Sequence, residues 1–165
     1  MFETVELQAA TKSELYKELT KQLYHLIDGE RDFIANASNF SSLLFNSLPD
    51  LNWAGFYIYK EKELVLGPFQ GKPACVRIAI GKGVCGTAAE RLKTVIVKDV
   101  HSFPGHIACD AASNSEIVVP MIKNGVFIGV LDLDSPLVER FDEEDKAGLE
   151  NLVEMFLSKT DIRYF

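Results

Sequence analysis

The chain has 165 residues, long enough to bury one substantial core and too short for two ordinary domains, so a single domain over 1–165 is expected. A formal net charge of −7 opposes binding to nucleic acid, whose affinity comes from neutralising phosphates with Lys and Arg. The apolar runs are short and broken by charge, and the first residues are acidic where a signal peptide is basic, so a soluble, cytoplasmic protein with no membrane partner is expected.

Thr11 and Glu14 have the spacing of a capping box, and Leu15, Leu19, Leu23 and Leu26 follow as one apolar stripe, which predicts a helix over about 12–27. Gly29 can end it. Phe33, Ala37, Phe40 and Leu44 then repeat at helical spacing until Pro49, and this second helix is expected to pack on the first. From Asn52 the pattern changes to short β-branched and aromatic segments, predicting strands at 53–59, 63–66, 75–80, 94–98, 116–122 and 126–134. Asp142 is expected to N-cap a last helix bearing Leu149, Leu152, Val153 and Phe156 on one face. No repeat, low-complexity tract or linker interrupts the pattern. The fold class is therefore α+β, a central, largely antiparallel sheet of about six strands with flanking helices.

The hairpin at Lys123-Asn124-Gly125 bears on function. A two-residue type I′ turn at Asn124-Gly125 would set Ile122 opposite Phe127 and Glu116 opposite Leu133, mixing polar and apolar residues on both faces. A three-residue loop with Gly125 left-handed sets Glu116 opposite Asp132 and segregates the faces, so it is preferred. Ile117, Val119, Met121, Phe127, Leu131 and Leu133 then share one face. Glu116, Asp132 and Asp134 share the other, with Val118, Pro120, Ile122, Val126, Ile128 and Val130. Such carboxylates are either solvated strand ends or, on a partly apolar floor, a site for a cation or for proton transfer.

The three cysteines, Cys75, Cys85 and Cys109, are an odd number in a chain expected to be cytoplasmic, which argues against a permanent disulfide framework. Their spacings fit no paired C-x-x-C pattern, and His25, His101 and His106 form no H-E-x-x-H motif, so no metal site is expected. A free cysteine can simply be a small core hydrophobe, the reading that competes with catalysis for Cys75 on its inferred strand. Cys85 follows Gly81-Lys82-Gly83 at the expected start of a short helix, where the backbone dipole and Lys82 would favour a thiolate. The glycine-rich segment lacks the full phosphate-loop pattern and reads as a flexible loop that lets a cysteine approach. Trp53 and Tyr57, four apart on a strand, face the same side, in the core or in a pocket. His101 and His106, flanking Pro104-Gly105, read as surface loop residues.

The segments Asn52-Trp53-Ala54-Gly55-Phe56-Tyr57, Gly71-Lys72-Pro73-Ala74-Cys75, Gly81-Lys82-Gly83-Val84-Cys85-Gly86, His106-Ile107-Ala108-Cys109-Asp110 and Ser115-Glu116-Ile117-Val118-Val119-Pro120 closely resemble the free methionine-(R)-sulfoxide reductases, built on a GAF domain. The resemblance runs from the N-terminal helices to about residue 157. It implies a six-stranded antiparallel sheet with helices and free methionine R-sulfoxide as substrate. It further implies Cys109 as the nucleophile that becomes a sulfenic acid, Cys85 as the principal resolving thiol and Cys75 as an alternative or auxiliary resolver. Substrate-site roles carry over to Trp53, Tyr57, Glu116, Asp132 and Asp134, where carboxylates can bind the ammonium group and a carboxylic acid of raised pKa can protonate the sulfoxide oxygen. No metal or organic cofactor is implied. Thioredoxin is the expected reductant, and a homodimer is suggested by the resemblance alone. The competing functions are a GAF sensor for a cyclic nucleotide or other small ligand, and a cytosolic thiol redox sensor.

Overall fold

The computed structural model describes residues 11–107 and 110–162. In chain order these form α1 (Lys12–Leu26), α2 (Phe33–Ser47), β1 (Trp53–Lys60), β2 (Glu63–Gly71), β3 (Arg77–Ala79), α3 (Gly83–Arg91), β4 (Val95–Val97), a 3₁₀ turn (Val100–Ser102), β5 (Ser115–Lys123), β6 (Val126–Ser135) and α4 (Glu143–Lys159). The helices begin where their caps dictate. Thr11 accepts a hydrogen bond from the Glu14 backbone N–H, Asp32 from that of Ala35, and Asp142 with Asp145 closes a reciprocal capping box.

The strands pair in the order β3-β2-β1-β6-β5-β4, every neighbour antiparallel, so the α+β expectation holds. Helices α1, α2 and α4 cover one face. Leu19, Leu23, Phe33, Phe40, Leu152 and Phe156 pack there on Ala54, Phe56, Ile117, Val119, Leu131 and Leu133. At its centre Phe33, Phe40, Phe56 and Phe156 meet with ring centroids 5.4–6.2 Å apart. Among the described residues, the opposite face carries only α3 and loops, packed on Trp53, Tyr57, Val118 and Val130.

Three expectations change. Strand β2 runs on to Gly71 through Pro68, because the β1–β2 register shifts between Gly55 and Tyr57 and spares the ladder a donor that proline lacks. Strand β3 is an edge strand paired with only Glu63–Val65, which leaves Cys75 in the preceding loop and not on a strand. The third change is the register of the β5–β6 hairpin. Asn124 and Gly125 both have positive φ, 53° and 78°, the signature of a two-residue I′ turn, and Lys123 pairs with Val126. A register shift between Met121 and Ile122 then inserts one extra residue in β6, so Glu116 lies opposite Asp134 and Val118 opposite Asp132. The expected three-residue loop is wrong, yet the bulge restores the parity that loop was invoked to give. Glu116, Asp132 and Asp134 share a face, while Phe127 and Ile128 exchange sides relative to expectation. Among the described residues, no helix is long and apolar enough to cross a membrane.

Candidate active site

A cleft opens on the thinly covered face, between α3, the loop that follows β2, and His106, Ile107, Asp110 and Ser113. It encloses about 510 Å³ of empty space, mouth included. Of the expected site residues, Trp53, Tyr57, Cys85, Glu116, Asp132 and Asp134 all line it. Cys109 lies outside the described residues.

Strand β1 supplies the aromatic wall. Trp53 and Tyr57 sit on the same side, as their spacing predicts, with ring centroids 6.0 Å apart, and Trp53 also stacks on Phe69 at 5.3 Å. Gly55 lies between them in sequence, where a Cβ would collide with the Trp53 ring and with Phe69, so only glycine lets the indole lie across the strand. The Trp53 Nε1–H donates to the Lys72 carbonyl (3.1 Å), and the Tyr57 hydroxyl donates to the Cys75 carbonyl (3.0 Å). These two bonds tie the Cys75 loop to the wall.

Strands β5 and β6 supply the acids. Glu116 and Asp132 are each only 6% exposed, and no Lys or Arg pairs with either, or with Asp134, among the described residues. Burial raises all three carboxyls, and the mutual repulsion of neighbours adds to it for Glu116 and Asp134; Asp132 is pushed up to about 7. Oδ1 of Asp132 is buried without a hydrogen-bond partner among these residues. The reading of these carboxylates as solvated strand ends therefore fails. A cleft with this lining favours a cation and can also hold a carboxylic acid protonated near neutral pH.

The thiols depart from expectation. Cys75, expected as an alternative or auxiliary resolver, is disulfide-bonded, and Cys85, expected as the principal one, is a free thiol. Cys85 stands in the first turn of α3, the helix start that was expected, although the segment is regular helix there and not the flexible loop also read from its glycines. Its Sγ is 3.9 Å from Oε1 of Glu116, and burial together with the negative field of Asp132 and Glu116 pushes the thiol up, overriding the helix dipole and Lys82 that were expected to favour a thiolate.

Sequence reading missed five contributors. His106 is a pocket residue and not a surface one: its Nε2 lies 3.8 Å from Oε2 of Glu116, and burial and His101 lower its pKa. Ser113 hydrogen-bonds Asp134 and accepts from Asn52 Nδ2 (3.0 Å). Asn52 Nδ2 also reaches Asp110 (3.2 Å), which accepts from Lys72 Nζ at 3.3 Å. The signal available was the density of polar side chains over 106–115, which a pattern of apolar spacing does not register.

A family model described as "GAF domain" matches residues 35–155. The chain is 52% identical to the free methionine-R-sulfoxide reductase of Escherichia coli K12, over 93% of this chain and 95% of that protein. It is 48% identical to the protein of the same name from Saccharomyces cerevisiae, over 87% and 84%. The crystal structure of free methionine-R-sulfoxide reductase from Neisseria meningitidis, in complex with its substrate, superposes with a TM-score of 0.92 at 41% identity, covering 96% of this chain and 95% of that one. By the match over residues 35–155 and by these relatives, the chain belongs to the GAF domain family, alongside proteins named free methionine-R-sulfoxide reductase.

Proposed function

We propose that the protein reduces free L-methionine (R)-S-oxide to L-methionine by dithiol chemistry. The observation that carries this reading is the cleft, where buried carboxyls without a cationic partner face an aromatic wall beside the loop of a disulfide-bonded cysteine. The acids suit the ammonium group of a free amino acid, and Trp53 and Tyr57 suit its methyl and sulfur end.

In the proposed cycle the Cys109 thiolate attacks the sulfoxide sulfur while a neutral carboxyl, Glu116 or a neighbour, gives its proton to the sulfoxide oxygen. The oxygen then migrates to the Cys109 sulfur as the substrate S–O bond and the transient S–S bond to Cys109 break, so methionine leaves and Cys109 is left as a sulfenic acid. The sulfoxide gains the two electrons that the thiolate loses. A second thiol then displaces water and closes a disulfide. The disulfide at Cys75, with Cys85 buried and its pKa raised, favours Cys75 over Cys85 for this step. An external dithiol of the thioredoxin type reduces the disulfide by exchange, a cycle suited to a reducing cytoplasm. An acidic, cation-poor cleft disfavours the competing cyclic-nucleotide sensor, whose ligand carries phosphate.

The test is purified protein with dithiothreitol and each methionine sulfoxide epimer, followed by methionine formation. Turnover of the R epimer supports the reading, and tight nucleotide binding without turnover replaces it with the sensor. Cys109→Ser should form no methionine even in a single turnover, since a serine hydroxyl is a far poorer nucleophile at neutral pH. Cys75→Ser should release about one methionine per chain and then recycle poorly through thioredoxin, whereas Cys85→Ser should recycle.

A further inference from the structure

We infer that Cys85, Glu116 and Asp132 form a binding site for a borderline-soft divalent cation of the Zn²⁺ type, which stands complete while Cys75 is in its disulfide. One donor atom from each residue lies within 4.8 Å of the others, and all three residues are buried. The Sγ of Cys85 is 3.9 Å from Oε1 of Glu116. Around a tetrahedral zinc ion, with Zn–S of about 2.3 Å and Zn–O of about 2.1 Å, sulfur and oxygen ligands stand about 3.6 Å apart, so a few tenths of an ångström brings the Cys85–Glu116 pair to that separation, and the other pairs need a movement on the order of 1 Å at most.

Two further observations point to a cation. Oδ1 of Asp132 is buried and has no hydrogen-bond partner among the described residues, leaving a lone-pair site that the fold does not use. No Lys or Arg pairs with Glu116 or Asp132 there, so the donors lack a counter-charge. The thiol sets the selectivity. Mg²⁺ and Ca²⁺ take oxygen ligands and avoid sulfur, whereas Zn²⁺ and Co²⁺ accept a thiolate with carboxylates. His106, with Nε2 3.8 Å from Oε2 of Glu116, stands at the edge of the set, where it or a water completes the coordination. Binding releases the thiol proton, and any carboxyl protons, to solvent; no electrons move. An ammonium group would use the carboxylates alone, so Cys85 is the donor that distinguishes a metal from an amino acid.

The test uses the full chain in its oxidised form, verified as one free thiol per chain, titrated calorimetrically with Zn²⁺ and spectroscopically with Co²⁺. One ion per chain is expected, with an ultraviolet thiolate-to-cobalt charge-transfer band and no response to Mg²⁺. Cys85→Ser should abolish the band and weaken Zn²⁺ binding at least tenfold. A Glu116→Gln/Asp132→Asn double variant, which keeps the thiol, should weaken it comparably. Absence of the band in the oxidised protein, or Zn²⁺ binding undiminished in either variant, would overturn the site. Neither readout involves turnover, so the result is independent of the proposed reductase activity.

Discussion

Two buried aspartates on opposite sides of the sheet illustrate how the molecule divides its tasks. Asp145, at the start of α4 on the three-helix side, is 1% exposed and fully engaged: the Tyr16 hydroxyl, Arg140, Lys12 and the Asp142 backbone N–H all donate to it. Asp132, on the cleft side, is 6% exposed, faces no Lys or Arg among the described residues and has an oxygen with no partner. The first acid is held by two cations that fix α4 against α1, the arrangement under which a buried charge is tolerated. The second lies beside acids and a thiol; burial destabilises its charged form, an effect that hydrogen bonds with Cys85 and Glu116 only partly offset, and leaves room for a cation from outside. A single sheet thus has one face satisfied for folding and one left unsatisfied for binding.

That contrast is most sharply broken on the packed face. Phe156→Ala should cost about 3–5 kcal/mol of stability by denaturant unfolding, since it opens a cavity among Phe33, Phe40 and Phe56, while kcat/KM per folded molecule stays unchanged. The same conservative change at the two aspartates should then act with opposite sign. Asp145→Asn should cost about 3 kcal/mol by leaving Arg140 without its charge partner and Lys12 with Asp142 alone. Asp132→Asn should raise the stability of the ligand-free protein at pH 7 by on the order of 2 kcal/mol and lower kcat/KM for the free sulfoxide about tenfold or more.

The pH profile separates the two cases further. Because burial raises Asp132 from 3.8 to about 7, the folded state holds a proton over that interval that the unfolded state has released. Stability of the ligand-free protein should therefore fall as pH rises through this window, and Glu116 and Asp134, raised by the same burial, add to the fall. Asp132→Asn should flatten its share of the slope. The smallest effect expected is that of Tyr57→Phe, which loses the hydrogen bond to the Cys75 carbonyl and about 1 kcal/mol of stability.

The helical stripes and caps at Thr11 and Asp142 were legible in the sequence because 3.6-residue periodicity and capping act within a few residues. The common face of Glu116, Asp132 and Asp134 was legible too, though for an incomplete reason. Alternation specifies parity, and a two-residue turn followed by a bulge has the same parity as a three-residue loop, so the pattern could not distinguish them. The raised thiol of Cys85 was not legible. Its local helix dipole argues for a thiolate, whereas the acids that reverse the effect come from β5 and β6, more than thirty residues along the chain. His106 was hidden for a related reason, since only the fold brings it to Glu116.

The claim that the unsatisfied face reads a free ammonium group is tested most directly by comparing kcat/KM for free methionine (R)-S-oxide and its N-acetyl derivative under identical reducing conditions. Acetylation removes the charge and adds bulk where the carboxyls point, so the free amino acid should react at least tenfold better, the discrimination expected from one lost charge-assisted contact. Equal kinetics for the two compounds would contradict the ammonium site and, with it, the role given to Glu116, Asp132 and Asp134.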